Sequence, residues 1–295
     1  MIYLFGSILF SSYLTLSFKV LQRLHINTLQ AIVFNYVACV LTGSVVNGSF
    51  PVNKTNIAAP WFLWALVMGG MFISIFNVIG FTTQKLGVAV ASVANKLSLV
   101  IPFLFSLYLY NETAAALKIA GIVVALAAVV FTCYPAQNSN DNSNSVKGNL
   151  VVLLPVILFI SSGLLDTLIV YVKNSFFIDP EDNFNNFLIS AFSVAATLGL
   201  IILTIQVITG KQKFSFKAML AGIIIGIPNY FSIWCLGKVI SAYHGNSSAI
   251  IPVNNMGIVL FSAVAAWLLF KEKLSAINWV GIVLALGAIA LIAYG

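Results

Sequence analysis

The stretch GVAVASVANKLSLVIPFLFSLYLY, from Gly87 to Tyr110, decides how the rest of the sequence is interpreted. It is apolar and long enough to cross a bilayer, because about 20 residues at ~1.5 Å each span a hydrocarbon layer of roughly 30 Å. Asn95 and Lys96 interrupt this stretch in its middle third. A lysine at that depth costs about 2.5–3.5 kcal/mol, so we expect it to meet a partner, water or a ligand.

The composition of the whole chain is that of a multi-pass membrane protein. Hydrophobic residues make up 61% of the 295 residues and charged residues only 7%, whereas soluble proteins carry about 25% charged residues. The net charge of +7 does not indicate nucleic-acid binding, because the basic residues lie scattered at the ends of apolar segments. The first apolar run, Ile2–Phe18, has no preceding basic segment and no small-residue cleavage site, which predicts a first span and no cleaved signal peptide.

Ten apolar segments predict an all-α membrane protein with ten transmembrane helices. The Asn/Ser-rich stretch 135–148 is predicted to be a flexible linker between two five-helix halves, 1–134 and 149–295. The predicted spans are Ile2–Phe18, Leu29–Val46, Pro60–Gln84, Gly87–Tyr110, Ala114–Tyr134, Leu150–Val172, Phe184–Ile208, Ala218–Ile240, Ser247–Phe270 and Ile277–Tyr294.

The two halves repeat in sequence. A displacement of 160 residues places Asn95 on Asn255 and Gly121 on Gly281, and GIV followed by AL occurs in both copies. Because each half has an odd number of spans, the second half must enter the membrane from the opposite side. This arrangement is an inverted repeat, which is typical of secondary transporters whose substrate site lies near the midplane.

Small residues on the fifth and tenth spans predict how those spans pack. Gly121 and Ala125 on the fifth, and Gly281 and Ala285 on the tenth, form small-xxx-small faces that allow close helix contact. We expect the two spans to pack against each other or against a second protomer, in a monomer or a homodimer. Each half also has a mid-span proline, a glutamate in the next turn and a glycine in the next span. These residues are Pro102, Glu112 and Gly121, and Pro252, Glu272 and Gly281.

This pattern resembles the EamA domain, and two such domains in tandem are similar to the drug/metabolite transporter superfamily over nearly the whole chain. The two copies differ in one respect: proline and glutamate are ten residues apart in the first half and twenty in the second, so Pro102 and Pro252 are not equivalent. The resemblance implies a location in the bacterial inner membrane, a cavity enclosed by spans one to four and six to nine, and peripheral spans five and ten. It also implies a cytoplasmic N-terminus, whereas the positive-inside rule favours the reverse.

Lys96 is the leading candidate for substrate binding. Met256 occupies its position in the second half, so the lysine breaks the repeat. This favours a functional group, either a cationic anchor for a carboxylate or phosphate or a proton-linked switch. The alternative is a packing role in which Asp166 neutralises the lysine. Asp166 is the only carboxylate deep inside a predicted span; it could instead carry a coupling proton, or lie at the membrane surface if the sixth span ends early.

Amide and aromatic side chains complete the predicted site. The repeat matches Asn95 with Asn255, whose amides offer donors and acceptors to a polar ligand or to neighbouring helices. Tyr230 and Trp234 are four residues apart and therefore share a helical face, where they wall an apolar pocket or simply pack. The predicted substrate-binding residues are Lys96, Asn95, Asn255, Asp166, Asn77, Tyr230, Trp234 and Asn35.

The sequence predicts a secondary transporter that moves a small anionic or zwitterionic metabolite, such as an amino acid, by alternating access in export or exchange. We find no enzyme motif, metal-ligand spacing or nucleotide-binding motif, so no catalytic residue, cofactor or metal is expected. Coupling would then come from a proton gradient or from substrate exchange. Two alternatives remain open: a proton-coupled exporter of cationic or lipophilic compounds that uses Asp166, and a non-transporting membrane scaffold or lipid-handling protein.

Overall fold

A computed structural model describes residues 2–110, 116–132, 145–177, 184–242, 247–272 and 274–294. Within these ranges every regular element is a helix, as the composition predicts. The helices are α1 (Ile2–Arg23), α2 (Thr28–Asn47), α3 (Lys54–Ile57), α4 (Phe62–Leu86), α5 (Val88–Leu97), α6 (Val100–Tyr110), α7 (Ala116–Thr132), α8 (Ser145–Phe176), α9 (Phe184–Ile208), α10 (Phe216–Ala242), α11 (Ser247–Phe270) and α12 (Ala276–Tyr294).

The protein is an all-α, multi-pass membrane protein. Eight helical segments in the described residues are long and apolar enough to cross a membrane, judged by length and composition. Two shorter apolar helical segments, Ile119–Thr132 in α7 and Ala276–Ile292 in α12, occupy the predicted fifth and tenth spans. The total of ten spans and their inverted arrangement stay predictions. The predicted seventh and ninth spans have the same bounds as α9 and α11.

The fourth predicted span is two helices, α5 and α6, and a proline within a span is expected to bend it. A turn at Ser98 and Leu99 separates them. Pro102 gives the physical reason, since it has no N–H to donate to the carbonyl four residues earlier and its ring crowds that carbonyl. The Ser98 carbonyl instead accepts from the N–H of Ile101 at 2.9 Å. The Ser98 hydroxyl donates to the carbonyl of Asn95.

Part of the predicted linker 135–148 is helical. Helix α8 begins at Ser145, so the last four residues of that stretch form a first helical turn. Residues 135–144 lie outside the described residues, as does Glu112.

The chain forms two compact units that differ from the predicted halves. Unit 1 comprises Met1–Lys19, Val78–Leu164 and Phe231–Gly295, and unit 2 comprises Val20–Asn77 and Leu165–Tyr230. Helices α1, α4, α8 and α10 each contribute residues to both units. The predicted division at the linker rests on the sequence repeat, and it stays a prediction.

The core of unit 1 lies where α5, α7, α11 and α12 meet. Small residues permit the closest contact, between α7 and α12: a Cβ at Gly121 would lie 2.8 Å from Cγ1 of Ile292, and one at Gly281 would overlap Thr132. These contacts show that α7 and α12 run antiparallel, which confirms the predicted packing of the fifth span on the tenth. The fully buried members of this core include Ala89, Val93, Leu97, Ala125, Ala128, Val259, Ala263, Ala285, Ala288 and Ile289.

Unit 2 is held by close contact between α2 and α10. Gly222 and Gly226 form a GxxxG face, which allows two membrane helices to approach closely. A Cβ at Gly222 would lie 2.5 Å from the carbonyl oxygen of Ala31, and one at Gly226 would overlap the carbonyl of Asn35. On another side of α2, the hydroxyl of Tyr36 donates to the carbonyl of Phe72 at 2.9 Å. The two helix contacts leave Asn35 and Tyr36 buried.

Candidate functional site

The structure brings Lys96 and Asn255 together where α5 packs against α11. The side-chain amide of Asn255 donates to the Lys96 carbonyl at 3.5 Å. That carbonyl belongs to the last turn of α5, where helical carbonyls have no partner within their own helix. Lys96 is half-buried and directly precedes the turn that ends α5. The lysine therefore lies at the broken end of a span and within reach of α11.

The two repeat-equivalent positions have different surroundings. Met256, the counterpart of Lys96, packs against the apolar core of unit 1. Asn95 is half-buried beside Lys96, and its carbonyl accepts from the Ser98 hydroxyl. One copy of this position thus presents a cation, whereas the other fills a core.

Helices α5 and α11 also bury polar atoms that have no hydrogen-bond partner among the described residues. They are Oδ1 of Asn254, Oγ of Ser92 and Oγ of Ser262, and all three residues are at most 2% exposed. Buried polar groups are nearly always paired, so such atoms indicate a place for ordered water or a polar ligand. Each of these three atoms could therefore bind an ordered water or a polar group of a ligand.

Asp166 lies well inside α8. The helix continues ten residues beyond it, to Phe176, and the apolar segment Leu153–Lys173 includes it. This disfavours the alternative in which the sixth span ends early and leaves the carboxylate at the membrane surface. The Asp166 side chain is half-buried. Lys96 belongs to unit 1 and Asp166 to unit 2, and the predicted pairing between them stays a prediction.

Asn35 and Asn77 make hydrogen bonds within their own unit. The side-chain amide of Asn229 donates to Oδ1 of Asn35 at 3.1 Å, and both residues are buried. The Asn77 amide donates to the Ile73 carbonyl, 2.7 Å away on the same helix. These contacts match the interhelical and packing roles that were the alternatives to substrate binding.

Tyr230 and Trp234 have contacts with different residues. The Tyr230 ring covers Gly43, where a Cβ would lie 2.8 Å from the ring. The Trp234 ring packs edge-on against Tyr3, with centroids 5.8 Å apart, and Nζ of Lys238 lies 5.5 Å from the Trp234 centroid. Tyr230 belongs to unit 2 and Trp234 to unit 1. The described contacts are packing contacts, and a pocket shared by the two rings stays a prediction.

Glu272 is a structural cap, as a glutamate in a turn beside lysines is expected to be. Both of its carboxylate oxygens lie 3.1 Å from the N–H of Val88, the first residue of α5, and Oε1 lies 3.7 Å from Nζ of Lys19. Gly87 has a φ of 101°, and a Cβ there would lie 2.9 Å from Glu272 Oε2. The glutamate thus caps a helix from a distant part of the chain and complements its dipole.

In the described part of the chain, no three His, Cys, Asp or Glu side chains are grouped so that they could hold a metal ion. No protein-family model matches the chain. An uncharacterized protein of Haemophilus influenzae (strain ATCC 51907 / DSM 11121 / KW20 / Rd) is 26% identical over 295 residues, which cover 98% of this chain and 96% of that protein. A solved protein crystal structure has a TM-score of 0.61 and 15% identity, and the match covers 99% of this chain and 96% of the other. This second likeness concerns the fold alone.

Proposed function

We propose that the protein is a secondary transporter of the EamA type, in the drug/metabolite transporter superfamily. It carries a small anionic or zwitterionic metabolite by alternating access, and Lys96 anchors the carboxylate or phosphate of that metabolite. The observation that carries the proposal is the position of Lys96, half-buried within the candidate span Val88–Phe105 and directly before its break. Ionisable side chains inside membrane spans usually serve function, and broken helices commonly supply transporter sites.

The packing of α7 against α12 supports the inverted repeat that this mechanism requires. Gly121 contacts Ile292, and Gly281 contacts Thr132. The displacement of 160 residues converts Gly121 into Gly281 and relates Thr132 to Ile292, so each contact is the image of the other. A two-fold axis in the membrane plane produces such reciprocal contacts between antiparallel copies of one helix. Two five-helix repeats of opposite orientation account for this pattern.

The difference between Lys96 and Met256 supports a site that uses only one copy of the repeat. A residue needed for architecture alone would be expected in both copies, yet the equivalent position is apolar and packs in a core. A substrate carboxylate would neutralise the ammonium group while the halves reorient around it. Binding and movement are then coupled, which fits export or exchange. The amides of Asn95, next to Lys96, and of Asn255, which donates to the Lys96 carbonyl, would hold the polar remainder of the metabolite.

Ligand-dependent thermal stabilisation of the purified protein tests this proposal. A ligand that binds only the folded state raises the melting temperature by mass action. We expect anionic or zwitterionic metabolites to stabilise the wild type and a Lys85→Met control, which removes an exposed lysine at the end of α4. The folded Lys96→Met variant should not respond to them. An equal response of Lys96→Met would overturn the role of Lys96.

A second candidate function rests on Asp166, a carboxylate inside the apolar part of α8. A proton-coupled exporter of cationic or lipophilic compounds would use this group to bind the proton and the cation in turn. In the same assay, cationic compounds would then stabilise the wild type and Lys96→Met, and Asp166→Asn would lose the response. Stabilisation by anions that depends on Lys96 would contradict this second function.

A further inference from the structure

Two connections at one end of unit 2 are joined into a single surface. They are the turn between α1 and α2 and the loop between α9 and α10. The side-chain amide of Asn27 donates to Oε1 of Gln212 at 3.1 Å. The amide of Gln30 donates to the Lys213 carbonyl at 2.8 Å, and Oε1 of Gln30 accepts from the N–H of Ser215 at 2.9 Å. Because Gln30 is only 1% exposed, this network is protected from water and fixes the two connections together.

The surface around this network is basic and edged with apolar side chains; we name it the loop surface. Leu24, Phe214 and Phe216 on it are 62%, 53% and 61% exposed. Among the described residues of unit 2 the carboxylate is Asp166, which lies inside the apolar part of α8 and not in either connection. The exposed basic residues of the loop surface are Arg23, His25, Lys211, Lys213 and Lys217.

The opposite end of unit 2 has fewer exposed basic residues among those that the structure describes. The amide of Asn47, at the end of α2, donates to Oδ1 of Asn186 near the start of α9 at 3.0 Å, so α2 and α9 run antiparallel. The exposed lysines Lys54 and Lys173 belong to this end. The segment that joins α8 to α9 in the sequence lies outside the described residues, and it contains three carboxylates, namely Asp179, Glu181 and Asp182. Among the described residues of unit 2, exposed basic side chains are therefore concentrated at the loop surface.

We infer that the loop surface binds the headgroups of anionic phospholipids in the cytoplasmic leaflet of the membrane. Clusters of lysine and arginine next to membrane helices are attracted to the negative surface of that leaflet. Aromatic and aliphatic side chains such as Phe214, Phe216 and Leu24 suit the boundary between headgroups and acyl chains, which a soluble anionic partner would not require. The buried Gln30 network holds the lysines in place, so lipid binding need not order the loop first.

This assignment has a consequence for orientation. Helix α1 ends at Arg23, on the loop surface, so its first residues lie toward the other side of the membrane. The N-terminal end of α1 would then be extracytoplasmic, as the positive-inside rule favours. The resemblance to EamA domains implies the opposite orientation. The two expectations therefore conflict, and the loop surface favours the first.

Lipid-dependent thermal stability of the purified full-length protein tests the lipid part of the proposal. The wild type is compared with Lys211→Gln/Lys217→Gln and with a matched control at the opposite end, Lys54→Gln/Lys173→Gln. We expect phosphatidylglycerol to raise the melting temperature of the wild type and the control more than phosphatidylcholine does. The loop-surface variant should bind phosphatidylglycerol roughly tenfold or more weakly, since each basic residue contributes about fivefold. High salt should remove the difference between the two lipids.

Two results would overturn lipid binding at this surface. One is an equal response to both lipids, or an equal loss in the two double variants. The other is full reproduction of the shift by inorganic phosphate without lipid, which would indicate a soluble-anion site. All three proteins retain Lys96, so these outcomes do not bear on the proposed transport site. A failure of lipid binding can therefore be distinguished from a failure of the proposed transport function.

Labelling from one side of the membrane tests the leaflet. A membrane-impermeant maleimide should modify Lys211→Cys only after cells are opened, and it should modify Lys54→Cys in intact cells. The native Cys39 and Cys235 are buried, and the parent protein supplies the background for every native thiol. Labelling of Lys211→Cys in intact cells would overturn the cytoplasmic assignment.

Discussion

The fourth and ninth predicted spans are related in sequence, yet the first is two helices, α5 and α6, and the second is one helix, α11. In the fourth span, Pro102 lies four residues after Ser98, and α5 ends directly after Lys96 and Leu97. In the ninth span, Pro252 lies near the start of α11, and the helix continues past Met256 to Phe270. The comparison indicates that a helix is interrupted where the proline follows the polar residues and stays continuous where the proline precedes them. The interrupted helix is also the one that carries the charged residue, Lys96.

We expect the largest effect on stability when a lysine is placed at position 256, the equivalent of Lys96 in the continuous helix α11. Met256→Lys places an ammonium group against the apolar core of unit 1, and a lysine at the centre of a span costs about 2.5–3.5 kcal/mol or more. We expect a large fall in melting temperature or loss of folded protein. Met256→Leu should keep the wild-type stability, because it changes little volume. A stable Met256→Lys would show that both copies tolerate the charge and that the asymmetry has no structural basis.

Removing the charge from the broken copy should separate stability from function. Lys96→Met makes the two positions alike, and its melting temperature without substrate measures how much Lys96 contributes to stability. Loss of a charge-assisted hydrogen bond should weaken substrate binding by about 1.5–3 kcal/mol, or roughly 10- to 100-fold. Substrate counterflow in proteoliposomes measures the transport loss. A clear destabilisation without any change in transport would assign Lys96 a packing role.

Closing the break is the direct test of its part in transport. Pro102→Ala restores an N–H for the Ser98 carbonyl, which now accepts from Ile101. A net gain of about 1 kcal/mol in stability is expected from one recovered hydrogen bond and relief of the proline clash. We also expect slower counterflow, because a continuous helix holds the Lys96 carbonyl within its own ladder. Pro252→Ala, the control in α11, should leave the rate unchanged, and an equal slowing in both variants would remove the special status of the break.

Much of the fold, and less of the site, could be predicted from the sequence. Apolar length identified the helices that are long enough to cross a membrane, because lipid requires about 20 apolar residues, and the repeat identified Gly121 and Gly281 as contact residues. The sequence predicts a bend at Pro102 but not a break, because prolines within α8, α10 and α11 are tolerated in continuous helices. The sequence also predicts Glu272 as a structural cap, but it does not identify the capped helix, because the contact joins positions 184 residues apart. No periodicity reports such a contact, since only the tertiary fold brings the carboxylate to the start of α5.

Removing the Glu272 cap tests whether α5 needs stabilisation at its N-terminal end, opposite the break at Ser98 and Leu99. Glu272→Gln keeps the size of the side chain but removes the charge that faces the Val88 N–H and Lys19. We expect a stability loss of about 0.3–1 kcal/mol, because the carboxylate complements the positive end of the helix dipole. The adjacent exposed Lys271→Gln is the control and should change the melting temperature very little. A neutral Glu272→Gln would mean that the amide caps α5 as well as the carboxylate does.

The smallest effect on stability should come from loss of the hydrogen bond between the Asn255 amide and the Lys96 carbonyl. Asn255→Ala removes the amide that donates to the Lys96 carbonyl, and a hydrogen bond between membrane helices contributes about 0.6 kcal/mol on average. The long distance of 3.5 Å favours a value no larger than that.

The effect of Asn255→Ala on transport distinguishes two roles of this side chain. If Asn255 only holds the broken end of α5, substrate affinity should fall by less than about threefold, the equivalent of that energy, and Asn255→Ala combined with Lys96→Met should add nothing. If Asn255 contacts the substrate directly, the affinity of Asn255→Ala should fall more than its stability does, and substrates that lack a polar group beyond the anion should be insensitive to the change.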